Sequence, residues 1–343
     1  MRIRTFVTAA SLTALAAATS VQAQLRSYSG VVAGNATVGP QFQCATSGYT
    51  IGAPWFAGLL LPTEGIAACG LNGQVQNLTG NSGPLTTSAA ASGPMASVGT
   101  FSGTAKARAN YWNLGVAASG TSTGDASTFT YRQAASFASF AEDVIYTSPD
   151  VVNGTAGLTN FKFFVDGFMR NLPVAPYGQQ GDIALSFSVN NLLWTAFSGT
   201  TFGNNLPNVR GGSTGLPGNF ILVPGQFSGS ANITTTGNFN FVWGTPLRIE
   251  VGLYTSISPC CFGASINSDF YNSAVLTGVD AYAGNSLITN FVATTSSGLR
   301  LNAQGVIAPQ APVTTVPEPG TYGMMLLGLA SVALLARRRT RSR

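Results

Sequence analysis

The sequence predicts an all-β protein built as an antiparallel β-sandwich of a jelly-roll-like kind, followed by a single C-terminal transmembrane helix. The first observation is strict alternation of apolar and polar residues, clearest over residues 183–189 and 247–253, which is the pattern of strands with one buried face. The second is frequent punctuation by turn-forming residues, among them 41 Gly and 17 Pro. The third is the scarcity of helix-periodic segments between the two ends of the chain. No fixed-period repeat points to a propeller or a solenoid.

The first part of the chain predicts one strand and a long irregular region. Residues 25–37 are short and polar around a central Val31-Val32 pair, which favours an edge strand. Residues 40–94 are rich in Gly, Thr, Ser and Asn, with apolar islands at 55–61 and 66–71. We therefore expect long loops over residues 40–94, held by a disulfide.

Strand signals become more frequent from residue 96 onward. Residues 132–146 contain aromatic residues at helical spacing, but they run directly into Val144-Ile145-Tyr146, which favours a strand. Residues 161–165 alternate, and we expect Asp166-Gly167 to end or bend that strand.

The clearest hairpin signal lies in the last third of the chain. Phe239, Phe241 and Trp243 alternate with polar residues, residues 244–246 have turn composition, and residues 247–253 alternate again. This arrangement predicts two strands joined as a hairpin. Further strands are expected at 274–279 and 287–294.

The charge of the chain is concentrated at its two ends. Charged residues make up 8% of the chain, against about 25% in a typical soluble domain. The net charge is +5, but Arg2, Arg4 and the five arginines after residue 336 supply seven positive charges and Glu318 one negative charge. The part of the chain between these ends therefore has a net charge of −1, so the sequence gives no support for nucleic-acid binding. Its neutral surface, rich in hydroxyl and amide groups, suits an extracellular setting and contact with glycans.

The four cysteines are Cys44, Cys69, Cys260 and Cys261. In an oxidising compartment they allow three pairings, of which we favour a bridge between Cys44 and Cys69. The adjacent pair Cys260 and Cys261 forms either a strained vicinal bridge or free thiols, since neighbouring Cα atoms lie about 3.8 Å apart and disulfides usually span about 4.4–6.8 Å. Crossed pairings stay open. A zinc site is not expected, because the chain has no histidine and no Cys-x-x-Cys spacing.

The ionisable residues give little support for catalysis. The absence of histidine excludes Ser-His-Asp and Cys-His machinery, and leaves paired carboxylates of the glycosidase kind. Glu142 and Asp143 are adjacent, so on a strand they would point to opposite faces and could not flank one bond. For each carboxylate we expect a solvated or turn-forming role rather than catalysis. The candidates between the two ends are Glu64, Asp125, Glu142, Asp143, Asp150, Asp166, Asp182, Glu250, Asp269 and Asp280.

Calcium and glycans are the ligands that the composition allows. Oxygen ligands for Ca²⁺ are abundant, but no Asp-x-Asp-x-Asp loop exists and no ligand can be assigned. Aromatic platforms for sugars could come from the four tryptophans. Trp112 and Trp243 fit buried strand positions, and Trp55 and Trp194 are left open between core and surface. No cofactor is predicted.

The N-terminal end has the three parts of a secretory signal peptide. Arg2 and Arg4 form the positive region, residues 6–18 the apolar region, and Val21-Gln22-Ala23 the small-residue cleavage site. We expect signal cleavage between Ala23 and Gln24. The predicted organisation is thus a signal peptide over 1–23, a β-rich exported domain over 24–308, a linker over 309–315, and a C-terminal segment over 316–343.

The C-terminal segment again has three parts. Val316, Pro317, Glu318 and Pro319 form an extended peptide, because proline cannot continue a helix and disfavours helical geometry in its predecessor. An apolar run over 322–336 follows, about 22 Å long as a helix at about 1.5 Å per residue. Its flanking residues can extend it towards the about 30 Å of a bilayer core. A cytoplasmic stop-transfer cluster comes last, formed by Arg337, Arg338, Arg339, Arg341 and Arg343.

This C-terminal arrangement resembles the PEP-CTERM sorting signal of Gram-negative bacteria. The resemblance covers only the final few tens of residues and implies an exosortase as the processing partner. It also implies cleavage at or near Pro317-Glu318-Pro319, transient anchoring in the inner membrane, and delivery to the cell surface or an exopolysaccharide matrix. An ordinary C-terminal membrane anchor behind a proline-rich linker is the alternative.

Two functions from different classes fit these observations. The first is a non-catalytic surface or matrix protein that acts by adhesion or by association with exopolysaccharide. The second is a secreted carbohydrate-binding or carbohydrate-active protein; an enzyme of this kind would need two acidic residues facing each other across a groove. The low charge and the missing histidine favour the first.

Overall fold

A computed structural model describes residues 23–35, 72–94, 99–123, 130–172, 179–190, 192–211, 218–235, 239–259 and 263–307. Within these ranges the chain forms strands and turns and no helix. The strands are β1 (Gln24–Asn35), β2 (Asn72–Gly80), β3 (Leu85–Pro94), β4 (Thr100–Asn110), β5 (Asn113–Ser122), β6 (Thr130–Thr147), β7 (Ala156–Leu172), β8 (Gln180–Val189), β9 (Leu192–Phe202), β10 (Asn208–Gly211), β11 (Ile221–Val223), β12 (Gln226–Thr234), β13 (Phe239–Val242), β14 (Pro246–Ser258), β15 (Ala264–Phe270), β16 (Val275–Ala283), β17 (Ser286–Ile288), β18 (Val292–Thr295), β19 (Arg300–Asn302) and β20 (Gly305–Ile307).

The strands form two antiparallel sheets, and one long strand organises each sheet. Sheet A contains β1, β2, β6, β8, β9, β10, β14, β18, β19 and β20; sheet B contains the remaining ten strands. In sheet A, β6 pairs with β14 along one edge and with β1 and then β18 along the other. In sheet B, β7 pairs with β12 and β13 on one side and with β15 and β16 on the other. The all-β class and the antiparallel sheets predicted from the sequence are therefore confirmed, and the jelly-roll order stays a prediction.

The core lies between the two sheets and is rich in aromatic rings. Trp112 contacts Phe140 of sheet A with ring centroids 4.7 Å apart, and Phe161 of sheet B at 5.5 Å. Phe161 in turn stacks on Phe187 of sheet A at 6.2 Å. Such ring pairs contribute about 0.5–1.5 kcal/mol beyond the area that they bury. Buried phenylalanine rings thus supply much of the force that holds the sheets together.

Buried hydroxyl groups also connect the sheets. Thr87 Oγ1 of sheet B lies 2.9 Å from both Ser27 Oγ and Ser29 Oγ of sheet A. Tyr146 Oη and Thr159 Oγ1 lie 2.9 Å apart across the core. The further cross-sheet bonds join Thr255 with Ser268, at 2.7 Å, and Thr201 with Asn171, at 3.2 Å. Because each polar group has a partner, Ser and Thr can occupy inward positions without a large desolvation cost.

The predicted hairpin over residues 239–253 is wrong. Strand β13 pairs with β7 in sheet B, whereas β14 pairs with β6 and β8 in sheet A. Residues 243–245 therefore carry the chain from one sheet to the other, with Gly244 at a φ of 81° and its N–H donating to the Tyr146 carbonyl at 2.9 Å. Both strands bury every second residue against the shared core. Apolar and polar residues therefore alternate along the sequence as they would in a hairpin, although the two strands do not pair.

Three other expectations are corrected. The expected edge strand, β1, is an interior strand with β2 on one side and β6 on the other. Residues 72–94, expected as loops, form β2 and β3. Strand β7 continues through Asp166-Gly167 to Leu172, and the strand expected over 287–294 is divided between β17 in sheet B and β18 in sheet A. The strand predicted for 132–146 is confirmed as β6.

Candidate functional site

A pocket of about 180 Å³ opens on the outer face of sheet A, near the start of β1. Along β1, Leu25 and Ser27 are fully buried towards sheet B, so Gln24 and Arg26 face away from the core. The pocket spans neighbouring strands of sheet A and is lined by Gln24, Leu25, Arg26, Thr79, Phe137, Ser139, Phe140, Ala141 and Glu250.

Small residues create this pocket. The register places Arg26, Ser139 and Gly252 in one row across β1, β6 and β14, and Gln24, Ala141 and Glu250 in the next row. Long side chains on β1 and β14 therefore flank short ones on β6 and a glycine on β14. The depression follows from this pattern of sizes, which only the register brings together.

The two charged residues of the pocket have opposite sign and stand on strands separated by β6. Arg26 is half-buried, and desolvation lowers the pKa of its guanidinium, with Tyr28 acting in the opposite direction. Its Nε donates a long hydrogen bond to Asn77 Oδ1 at 3.4 Å. Glu250 is partly exposed on β14. The lining thus offers a cation, an anion and the hydroxyls of Thr79 and Ser139, a combination that can donate to and accept from a neutral polyhydroxyl ligand.

A row of aromatic residues bounds the pocket on the same face. Tyr28, Phe137 and Tyr254 are aligned across β1, β6 and β14. The hydroxyl end of the Tyr28 ring covers Gly30, since a Cβ at residue 30 would be 3.0 Å from its Cζ. Burial raises the pKa of Tyr254 well above its ordinary value. This row gives the pocket a rigid, apolar side.

Glu142 lies in the interior, contrary to the solvated or turn-forming role expected for it. Its side chain is fully buried on the inward face of β6, between Phe140 and Val144. Oε1 accepts a hydrogen bond from the Ser297 N–H at 3.0 Å, and Oε2 has no hydrogen-bonding partner among the described residues. Desolvation raises the pKa of Glu142, and nearby donors on Ser297, Thr295 and Trp112 oppose the shift.

Asp182 is also buried, on the outer face of sheet A. Its Oδ1 accepts a hydrogen bond from Thr200 Oγ1 at 2.9 Å, and its Oδ2 accepts one from Gln180 Nε2 at 3.1 Å. Desolvation raises the pKa of Asp182, while these two hydrogen bonds lower it. Asp182 therefore departs from the expected solvated role as well.

Three of the other described carboxylates, Asp143, Asp280 and Asp269, have structural partners. Asp143 points away from Glu142, as expected for adjacent strand residues, and its Oδ1 lies 3.4 Å from Arg248 Nη1. Asp280 pairs with Lys162 at 2.8 Å. Asp269 has the expected turn role, because its Oδ1 accepts a hydrogen bond from the Tyr271 N–H at 3.0 Å.

Among the tryptophans, Trp112 and Trp243 are buried, as predicted. Both lie in turns rather than on strands: Trp112 is in the turn between β4 and β5, with a φ of 61°, and Trp243 is in the turn after β13. Trp194 on β9 is 42% exposed and packs edge-to-face on Phe239. Trp55 lies outside the described residues.

Several other predictions fall on residues outside the described ranges. The processing segments among them are the signal peptide up to residue 22, the linker, Val316 to Pro319, the predicted transmembrane helix over 322–336 and the five C-terminal arginines. The other residues are Cys44, Cys69, Cys260, Cys261, Glu64 and Asp125. Ala23 and Gln24 are described: Ala23 is buried, and Gln24 is the first residue of β1. Sequence analysis named Glu250 among the candidate carboxylates but missed Arg26, and it did not bring the two into one site, since only the strand register does so.

Two features are absent from the described ranges. They contain no helix that is long and apolar enough to span a membrane. In the same ranges, no group of three or more Cys, Asp or Glu side chains is placed to hold a metal ion. Ca²⁺ ligands thus stay unassigned.

Comparison with known proteins identifies a motif in the C-terminal segment of the chain. The fold defines an all-β protein of two antiparallel sheets. The family of the PEP-CTERM protein-sorting motif matches residues 315–339, so the chain carries this motif and the resemblance found in the sequence is confirmed. The motif implies export and exosortase-dependent, membrane-associated sorting of a surface protein.

The other comparisons add no information about function. The curated proteins contain no match to this chain. A solved structure of infectious bursal disease virus, Gt strain, is 10% identical over 90% of this chain and 72% of that chain, with a TM-score of 0.09. A score this low says nothing about the fold.

Proposed function

We propose that the chain is a non-catalytic exported protein that an exosortase cleaves at Pro317-Glu318-Pro319 and that then associates with exopolysaccharide. The observation that carries the proposal is the match of residues 315–339 to the sorting motif. Residues 322–336 would form the transient inner-membrane helix, and the arginines after them would hold the end of the chain in the cytoplasm. The low charge of the remaining chain supports contact with neutral glycans.

Intact-mass analysis of the full chain expressed in its native host tests the sorting step. We expect the extracellular protein to begin at Gln24 and to end near Pro317. Replacing Pro317, Glu318 and Pro319 together by alanine should hold the protein in the inner membrane with residues 322–343 attached. Pro312→Ala, a proline change in the linker, is the control and should be processed normally. Release of the triple variant at the normal rate would contradict the proposal.

The pocket on sheet A is the candidate contact for the glycan. Its volume of about 180 Å³ is below the about 300–1,000 Å³ of common small-molecule sites, and it therefore suits a single sugar unit. Arg26 and Glu250 would donate to and accept from sugar hydroxyls, while the fixed Tyr28 and Phe137 rings exclude water from one side.

Binding of the exported protein to exopolysaccharide from its host tests this contact. Arg26→Gln and Glu250→Gln should each weaken binding by roughly tenfold, as for loss of one hydrogen bond to a charged group at about 1.5 kcal/mol. Arg210→Gln, at an exposed position of β10, is the matched control and should bind normally. Equal affinities for all of these proteins would contradict the assignment of the pocket.

The alternative is a secreted carbohydrate-active protein that uses two acidic residues. Glu250 in the pocket would supply one of the two carboxylates that a glycosidase needs, and the described lining of the pocket contains no second one. New reducing ends released from the same exopolysaccharide, and lost in Glu250→Gln, would support this alternative over the non-catalytic proposal.

A further inference from the structure

Among the described residues, the buried carboxylate Glu142 faces no cation. Its Oε2 has no donor within hydrogen-bond distance in those ranges, and the nearby donors on Ser297, Thr295 and Trp112 are neutral. The ion pairs among the described residues are Lys162–Asp280 and Arg248–Asp143. The second of these pairs uses the opposite face of β6. A buried carboxylate without a counter-charge is costly, and such groups usually have a partner.

Each element around Glu142 contributes neutral groups. The turn between β4 and β5 contributes Tyr111 and Trp112, and the turn after β18 contributes Ser297. Strand β14 places Ile249 directly opposite. Tyr111 is the titratable neighbour, and the negative charge of Glu142 helps to raise its pKa above the ordinary value.

The remaining neighbour is the beginning of β1. Gln24 is paired with Ala141, and antiparallel pairing therefore places Ala23 beside Glu142. Ala23 is 5% exposed and belongs to the same hydrophobic cluster as Phe140 and Trp112. Because Leu25 also faces the core, alternation directs the Ala23 side chain to the side of β1 on which Glu142 lies.

We propose that Glu142 is the binding site for the chain's own N-terminal ammonium group, created when the signal peptide is removed. This inference rests on the export step of the proposed function, with cleavage between Ala23 and Gln24. Water adds across that peptide bond: the new carboxyl group leaves with Ala23, and the amine stays on Gln24 and takes up a proton. Side chains of directly opposed strand residues have Cβ atoms about 4.5–5.5 Å apart. A glutamate side chain that starts opposite residue 23 can therefore reach the nitrogen of residue 24.

Cleavage would change the interior in two linked ways. It removes the buried Ala23 methyl group, which leaves room for the carboxylate and the ammonium to meet. It also supplies the positive charge that Glu142 lacks, so that the pKa of Glu142 falls and the pKa of the amine rises. The sandwich would then be more stable after processing than before it.

A cycle of four full-length proteins, exported by the native host, tests the proposal. An Asn-Gln pair inserted between Ala23 and residue 24 leaves the cleavage site intact without adding a second small-residue site. It moves the amine away by about 7 Å, at about 3.3 Å per residue. This insertion is combined with Glu142→Gln. All four proteins carry Gln24→Ser, because an N-terminal glutamine can cyclise with loss of ammonia and become uncharged. Intact mass verifies the start of each chain.

The urea midpoint of unfolding is the first measurement. We expect the insertion to lower the midpoint in the Glu142 protein and to change it by less than half as much in the Glu142→Gln protein. Equal shifts in the two backgrounds would overturn the proposal. A mature chain that begins elsewhere than at residue 24 would also overturn it, and would contradict the proposed export step without affecting the exosortase step.

The reactivity of the N-terminal amine is the second measurement, since a merely structural role of Glu142 would leave it unchanged. An ion pair raises the pKa of the amine, and its acylation at neutral pH should slow by about tenfold for each unit of that rise. Glu142→Gln should restore the faster rate in the chain without the insertion. Identical acylation rates with Glu142 and with Glu142→Gln would overturn the ion pair even if both proteins are destabilised.

Discussion

Gly115→Ala is expected to destabilise the sandwich strongly, because the backbone of another segment occupies the space of its side chain. Gly115 is buried on β5, and the turn that follows β15 lies directly on it. A Cβ at residue 115 would lie far inside the van der Waals contact distance of the Tyr271 carbonyl oxygen and 2.7 Å from its carbonyl carbon. The neighbouring Leu114 N–H donates to the Ala274 carbonyl at 3.2 Å, which holds the turn in place.

The size of the effect follows from what has to move. Added methyl groups in packed cores cost about 1–3 kcal/mol when side chains can shift. Here the obstacle is backbone, so we expect a cost of about 3 kcal/mol or more. A loss of that size lowers the melting temperature by roughly 6–12 °C, at about 2–4 °C per kcal/mol for a domain of this size. Urea unfolding of the exported protein gives the same free energy independently.

Gly80→Ala on β2 is the matched control. A Cβ at residue 80 would lie 3.5 Å from Leu85 Cδ2, which is ordinary van der Waals contact, so its effect should stay within about 0.5 kcal/mol. If Gly115→Ala is no more destabilising than Gly80→Ala, the close packing of the 271–274 turn on β5 is refuted.

Three further predictions concern buried polar groups and the core. Thr87→Val should cost about 1–3 kcal/mol in urea unfolding, since it removes the shared partner of two buried serines; Thr104→Val, in an exposed hydroxyl pair, should cost less, and equal costs would refute the bridge. Because burial raises the pKa of Asp182, the folded chain holds this proton more tightly than the unfolded chain. Stability should therefore fall as the pH rises from the unfolded pKa of about 4 to the raised folded value, and level off above it. Asp182→Asn should remove this part of the pH profile, and an unchanged profile would contradict the burial. Trp243→Ala should cost about 3–5 kcal/mol through the cavity it leaves, whereas the half-exposed Trp194→Ala should cost clearly less; melting temperatures compare the two.

The sequence predicted the strands best where alternation was long. Residues 183–189 and 247–253 lie in β8 and β14, and the aromatic residues of 132–146 lie in β6 despite their helical spacing. It did not predict β2 and β3, because their Thr, Ser, Ala, Asn and Gln residues have the composition of loops. These strands are held by pairing with β1 and β4, which composition does not report.

The candidate pocket could not be predicted in the same way. Arg26 and Glu250 are far apart in the chain and come to one pocket only because β1 and β14 both pair with β6. For Glu142 the sequence showed correctly that it faces away from Asp143. It did not show that the Glu142 face is the one turned towards the core.

The sequence by itself determined the class of fold, the strands with strong alternation and the sorting motif at 315–339. These depend on local order along the chain: side chains of a strand change face at each residue, and a processing signal is recognised as a short linear segment. The tertiary structure alone decided that β13 and β14 belong to different sheets, that β1 is interior, and that Glu142 is buried beside the start of β1. Alternation states which residues share a face, but the partner of that face is chosen by packing between distant segments.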